Sequence, residues 1–150
     1  MTPNVTGIPS HVTKEMCTDI SEAYYPMDPV VPFIKATQDR VVLEIMRGCI
    51  RGCRFCQAGQ LYRPLRERDV KVLEHYALRM LQSTGQEEIS LSSLSSSDYS
   101  QLPELVDFLI KECGDRKINI SLPSLRIDAF SLLVMLTVPD SSKNTQTKDQ

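Results

Sequence analysis

The segment RGCIRGCRFCQ, residues 47–57, carries the side chains best suited to chemistry. Its cysteines, Cys49, Cys53 and Cys56, are separated by three residues and then by two. Thiolates are soft donors that take zinc and iron–sulfur clusters and discriminate against hard cations. Neither ferredoxin spacing matches, and no fourth cysteine lies nearby. A cubane cluster held by three thiolates leaves one iron without a protein ligand. That iron is open to a small molecule, as a coordination position is in catalytic metal centres. Zinc is the rival: Cys53 and Cys56 have a knuckle spacing, and Cys49 supplies a third ligand. A histidine or carboxylate must then complete the site, and neither His11 nor His75 has a spacing that recommends it. Three unliganded thiols are the bland possibility. Ligand spacing ranks the cluster above zinc, and zinc above free thiols.

The neighbours of the cysteines support such a site. Gly48 and Gly52 let the backbone turn tightly around a bulky group. Arg47, Arg51 and Arg54 bring positive charge to an anionic assembly, favouring deprotonated thiols and tuning a potential. Phe55 either shields the site from water or serves as an ordinary core aromatic. Cys17 and Cys113 stand apart and read as free thiols, Cys113 on the apolar spacing of a helix.

The rest of the chain must position this loop. Its 150 residues suit one domain with a small core. Hydrophobic residues make up 41%, charged residues 24%, and the net charge is -2, an ordinary soluble composition without a broad basic surface. No apolar run is long enough to span a bilayer, and the N-terminus lacks the pattern of a signal peptide. Five cysteines, three of them crowded, fit a reducing, cytoplasmic compartment better than a disulfide framework.

Residues 1–39 are rich in Pro, Asp and Thr and read as an extended lead-in, or as the end of an upstream region. RVVLEIM, 40–46, reads as a strand, interrupted by Glu44, which a paired carboxylate or a place at the strand's mouth would explain. The cysteine loop follows it directly. DVKVLEHYALRMLQSTG, 69–85, is a helix with Val70, Leu73, Tyr76, Ala77, Met80 and Leu81 as its apolar stripe, Asp69 as cap and Gly85 as stop. His75 falls off the stripe and reads as a surface or boundary histidine. EEISLSSL, 87–94, is a second strand, and SSSDYS a loop. Leu102 to Cys113 repeats at helical spacing, with Pro103 in its first turn and Gly114 at its end. KINISL, 117–122, is a third strand, then PSLRID; 129–139 is apolar, and the polar segment 139–150 is expected to be disordered. Strand, loop and helix in repetition predict an α/β fold with a parallel sheet, whose function gathers beyond the C-terminal ends of the strands.

With the motifs in this order, CIRGCRFC resembles the CxxxCxxC signature of the radical S-adenosylmethionine superfamily, including the aromatic before the last cysteine. EIMRGCIRGCRFCQAGQLYRPLRERD, ISLSSLSSSDYSQL and ISLPSLRIDAF resemble a branch that often carries a cobalamin-binding-like domain ahead of this one. The likeness runs over about residues 24–130. It implies a partial (β/α) barrel: about three N-terminal units of a six-unit core over residues 40–138, truncated before the later strands. It implies a [4Fe-4S] cluster on Cys49, Cys53 and Cys56, whose open iron binds the amino and carboxylate groups of S-adenosylmethionine, with Phe55 close to the adenine. The segment that contacts the methionine amino group in the family falls here on Ser92, Ser93 and Leu94, without the family's glycines and glutamate. Ser95 or Ser96 would line the same mouth; a serine-rich segment is otherwise a plain loop. Ser121, Ser124 and Arg126 follow the third strand. Arg126 suits a carboxylate or substrate anion through a forked contact, or a salt bridge to Asp128.

The chemistry implied is reductive cleavage of S-adenosylmethionine to a 5′-deoxyadenosyl radical that abstracts hydrogen from a substrate. It needs an external electron donor such as flavodoxin or ferredoxin. RNA is one substrate class the resemblance admits, with Arg63, Arg66, Arg68 and Lys71 as the run that would meet phosphates, or a solvated charged face. A chain ending so early would leave a sheet edge open and need a further segment or partner. The alternative class is a non-catalytic zinc or iron–sulfur binding module.

Overall fold

The computed structural model describes residues 4–126 except 6, 35 and 115. The apolar segment 129–139 and the polar segment after it lie outside the described residues. Among the described residues, no helix is long and apolar enough to cross a membrane.

The sheet is built from β1 (Val41–Glu44), β4 (Glu88–Ser92) and β5 (Asn119–Ser121). They lie in the order β1-β4-β5, and both pairings are parallel. Glu44 stands level with Ser92, and Ser90 with Ser121. Helix α2 (Val70–Thr84) connects β1 to β4, and α3 (Leu102–Gly114) connects β4 to β5. This is an incomplete α/β fold, consistent with part of a barrel, and all three inter-element loops of interest leave from one edge.

Helix α2 forms where periodicity and caps agree. The Asp69 side chain accepts from the Lys71 N–H at 2.8 Å, and Gly85 ends the helix in the left-handed conformation that glycine adopts without strain. Val70, Leu73, Ala77, Met80 and Leu81 are buried, with Tyr76 half-buried beside them and His75 exposed. Leu102, Leu105, Val106, Leu109 and Cys113 form the matching stripe of α3. These two faces cover Val41, Leu43, Ile89 and Leu91 of the sheet in one apolar core. Cys113 is a free thiol, and burial pushes its pKa up.

The strand expected over 40–46 divides. The Ile45 N–H still donates to the Ser92 carbonyl at 3.1 Å, but the Ile45 carbonyl turns to accept from the Arg68 N–H at 2.9 Å. The next residues, β2 (Met46–Arg47), pair antiparallel with β3 (Arg66–Glu67). The chain thereby leaves the sheet as a two-stranded ribbon, with the cysteine loop between its arms. A short helix, α1 (Ala58–Leu61), follows the last cysteine. The strands expected at 87–94 and 117–122 are shorter, because residues beyond Ser92 and Ser121 turn into the loops at the sheet's edge.

The lead-in has no helix or strand among its described residues, yet it is attached. Ile20 is fully buried. The Tyr25 hydroxyl donates to the Val42 carbonyl at 2.7 Å and accepts from the Glu44 N–H at 3.1 Å, satisfying the free edge of β1.

Candidate functional site

The cysteine loop begins with a turn that only glycine can make. Gly48 has φ +95°, and a Cβ there would lie 2.6 Å from the carbonyl oxygens of both Tyr62 and Pro64. The loop thus crosses directly over the segment that leads into β3. Cys49 is buried; Cys53 and Cys56 are half-buried, and all three are free thiols. The Cys56 N–H donates to the Cys53 carbonyl at 3.0 Å, closing a tight turn around Arg54 and Phe55. The Arg51 N–H donates to Cys49 Sγ at 3.4 Å. Gly59 lies close beneath, where a Cβ would come 3.8 Å from Cys56 Sγ.

Two other loops leave the same edge of the sheet and meet this one. In the loop after β4, the Ser93 and Ser96 hydroxyls are 2.8 Å apart, and Ser96 donates to the Pro123 carbonyl at 2.7 Å. The Ser96 N–H reaches the Ser124 carbonyl at 3.2 Å, joining the second loop to the third. The Ser95 hydroxyl donates to Asp98 Oδ2 at 2.8 Å. Asp98 in turn receives Arg51 Nε on Oδ2 at 3.0 Å, and Arg51 Nη2 on Oδ1. From the third loop, the Arg126 N–H donates to Ser97 Oγ at 2.9 Å, and Arg126 Nη1 stands 4.0 Å from Cys53 Sγ. The three mouths are therefore one polar assembly, in which Arg51 ties the cysteine loop to the second loop and Arg126 of the third loop stands against Cys53.

The electrostatics follow from these contacts. The Arg51 guanidinium holds the Asp98 carboxyl below the usual carboxylate range, against the opposing effect of burial. Glu44, at the end of β1, accepts Arg47 Nε at 2.8 Å and Nη2 at 2.6 Å, with Arg68 Nη2 at 3.7 Å. Both explanations for a glutamate in that strand hold: it is paired, and it stands at the strand's mouth.

The arrangement corrects several expectations. Phe55 is 93% exposed, so it neither shields the cysteines nor belongs to the core; its ring lies open to solvent. Ser95 is buried with its hydroxyl on Asp98, so it shapes the mouth rather than lining it. The Ser92 carbonyl is taken by Ile45, and the Ser93 hydroxyl by Ser96. Arg47 and Arg51 face carboxylates, which offset much of the charge expected for the cysteines. Arg126, by contrast, is half-buried and directed at Cys53.

The basic run divides: Arg66 and Arg68 are buried, while Arg63 and Lys71 stay at the surface. Arg68 is 1% exposed: its guanidinium bonds the Ile20 and Glu44 carbonyls and lies 5.0 Å and 5.5 Å from the ring centroids of Tyr25 and Tyr76. Arg66 is buried against the carbonyls of Cys17, Tyr62 and Pro64. Arg63 bonds the Gly59 and Arg51 carbonyls, and Lys71 pairs with Glu74 and Glu104. These cations satisfy backbone and carboxylate acceptors of the protein itself. Asp98 is the residue that sequence reasoning passed over; a single carboxylate inside a serine run was the available signal.

The donor set suits a soft metal group: three free thiols on one loop, with N–H donors at Cys49 and Cys53 of the kind that surround ligated sulfur. Among the described residues, no three His, Cys, Asp or Glu side chains form a group that could hold one metal ion.

A sequence model of the Radical SAM superfamily matches residues 43–139. The match extends past Phe130, where the motif likeness had ended. An uncharacterized protein of Methanocaldococcus jannaschii is 37% identical over 90 residues, which are 60% of this chain and 19% of that protein. The chain thus spans about a fifth of the length of the curated relative it matches. No solved structure matches the chain.

Proposed function

The chain belongs to the radical SAM superfamily, and on that premise we propose that Cys49, Cys53 and Cys56 hold a [4Fe-4S] cluster which takes S-adenosylmethionine at its open iron. One observation carries the reading. Three free thiols in CxxxCxxC spacing leave the first strand of a parallel sheet at its C-terminal edge, where ligands of such sheets bind. Bound there, the cluster supplies one-electron reductive cleavage of the sulfonium.

The protein's own groups prepare the site. Arg126, beside Cys53, is a forked donor suited to a carboxylate. The exposed ring of Phe55 offers a face on which a purine stacks. Ser92 and Ser121 stand at the strand ends, while Ser93, Ser95 and Ser96 hold the second loop in shape. An external one-electron donor of the flavodoxin or ferredoxin class completes the requirement.

Anaerobic reconstitution with iron and sulfide tests this reading, followed by electron paramagnetic resonance with and without S-adenosylmethionine. The expected result is a reduced four-iron signal that changes on adding the cofactor, with 5′-deoxyadenosine as product, and its loss in Cys53→Ala. Stoichiometric zinc without a cluster would instead mark a metal-binding module and overturn the proposal.

A further inference from the structure

The Cys49 sulfur stands at the end of a chain of contacts that starts in another loop. Ser95 donates to Asp98, Asp98 grips both Nε and Nη2 of Arg51, and the Arg51 backbone N–H donates to Cys49 Sγ. Arg51 lies between the first two cysteines, so whatever fixes its peptide fixes the turn that presents them. The Asp98 side chain is 5% exposed while Arg51 is 37% exposed, so the carboxylate is shielded and the two-pronged contact fixes the guanidinium at a partly solvated place. The Arg51 carbonyl is held from the other side by Arg63 Nη2 at 3.2 Å. A Cβ on Gly59 would come within 3.3 Å of that carbonyl oxygen, so helix α1 backs it closely. Side chain, N–H and carbonyl of one residue are thus each anchored to a different part of the site.

We propose that Asp98 is a positioning residue for the cysteine loop. By holding the Arg51 side chain it keeps the Arg51 N–H on Cys49 Sγ and the three cysteines in one arrangement. What the loop holds rests on the cluster reading above; the clamp itself exists in the protein without metal. Losing it lets the loop open locally while the sheet and α2, whose hydrogen bonds do not involve Asp98, stay folded.

Hydrogen exchange of the metal-free chain, read by mass spectrometry, tests the clamp directly. In Asp98→Ala the amides of residues 49–56 are expected to exchange about tenfold faster, the scale for losing one charge-assisted hydrogen bond, with α2 and β4 unchanged. Arg51→Ala should match it, and the double variant should exceed neither, because the two residues act as one unit. Asp98→Asn keeps the size and the Ser95 contact but drops the charge, and should fall between. In the reconstituted protein, Asp98→Ala is expected to lose iron to a chelator about tenfold faster, by the same argument. Unchanged loop exchange, additive effects, or an equal rise in every element for both Asp98 variants would overturn the clamp. A wild-type chain that takes up no iron sinks the cluster reading, and loop exchange still decides the clamp. A wild-type chain with a four-iron cluster and an Asp98→Ala loop that exchanges normally sinks the clamp alone.

Discussion

Two polar seams tie irregular chain to this sheet, and they are built differently. At the mouth, Arg51 meets a carboxylate, and the contact leads on to the Cys49 sulfur. Beside β1, Arg68 meets the neutral carbonyls of Ile20 and Glu44 and two stacked tyrosine rings, with Glu44 Oε2 only at 3.7 Å. The Arg68 seam closes the lead-in over the edge of the core and offers no outward group. The mouth seam instead leaves Phe55 open and Arg126 beside Cys53. Burial of a charge against carbonyls and aromatic faces therefore marks scaffold here, and a charge pair connected to a cysteine of the CxxxCxxC loop marks the candidate site.

The sharpest break of this comparison is Arg68→Met. It keeps an apolar stem but leaves the Ile20 and Glu44 carbonyls without their donor, and it removes the cation packed beside the two stacked rings. The expected loss of unfolding free energy is about 3–4 kcal/mol, the scale for breaking a buried charged contact. Denaturant unfolding measures it, and proteolysis within residues 17–25 should rise with it. A variant as stable as the wild type would mean that the lead-in does not hold the core.

Gly48→Ala probes the other seam. The added methyl would overlap two backbone oxygens at a φ that side chains rarely adopt. The expected cost is roughly 2–3 kcal/mol. Because the strain falls between β2 and the loop, it should appear first as faster exchange over residues 46–57, with α2 still protected. Uniform loss across the chain would erase the distinction between scaffold and mouth.

The two seams also differ in how far the sequence discloses them. Helix α2 was legible to its caps, because periodicity, Asp69 and Gly85 are local and act together. So was the place of the cysteines after the first strand. The fates of Arg66, Arg68, Ser95 and Asp98 were not. Each of these seams depends on at least one partner distant in sequence, as in the bonds of Arg68 to Glu44, of Arg66 to Cys17 and of Arg51 to Asp98, and no spacing rule records these. A basic run over 63–71 therefore looks the same on a phosphate-binding surface and inside a seam. The β2–β3 ribbon escaped for a related reason: two residues per strand carry no alternation to read. Phe55 failed in the opposite direction, since an aromatic in a cysteine loop gives no sign of whether it faces protein or solvent.

The smallest effect separates hydrogen bonding from packing inside the Arg68 seam. Tyr25→Phe keeps the ring beside Arg68 but removes the hydroxyl that bridges the Val42 carbonyl and the Glu44 N–H. The expected cost near neutral pH is about 1–2 kcal/mol for two modest hydrogen bonds. It should shrink in alkali. Burial raises the pKa of Tyr25 above its ordinary 10.0, with the neighbouring Glu44 also raising it and its backbone contact lowering it. A raised tyrosine is neutral in the fold while the unfolded chain already gives up its proton. Its contribution is complete below about pH 10 and falls as pH climbs from there through the folded value, because the unfolded state then binds fewer protons. Tyr99, buried with its hydroxyl on the Arg68 carbonyl, is raised as well and gives the same sign. Wild type should therefore lose stability above pH 10 more steeply than Tyr25→Phe, with the Tyr99 share of the slope remaining in the variant. Chemical unfolding at a series of pH values compares the two. Parallel curves would show that the Tyr25 hydroxyl is already solvated in the folded chain, and that the rings and Arg68 alone close the β1 edge.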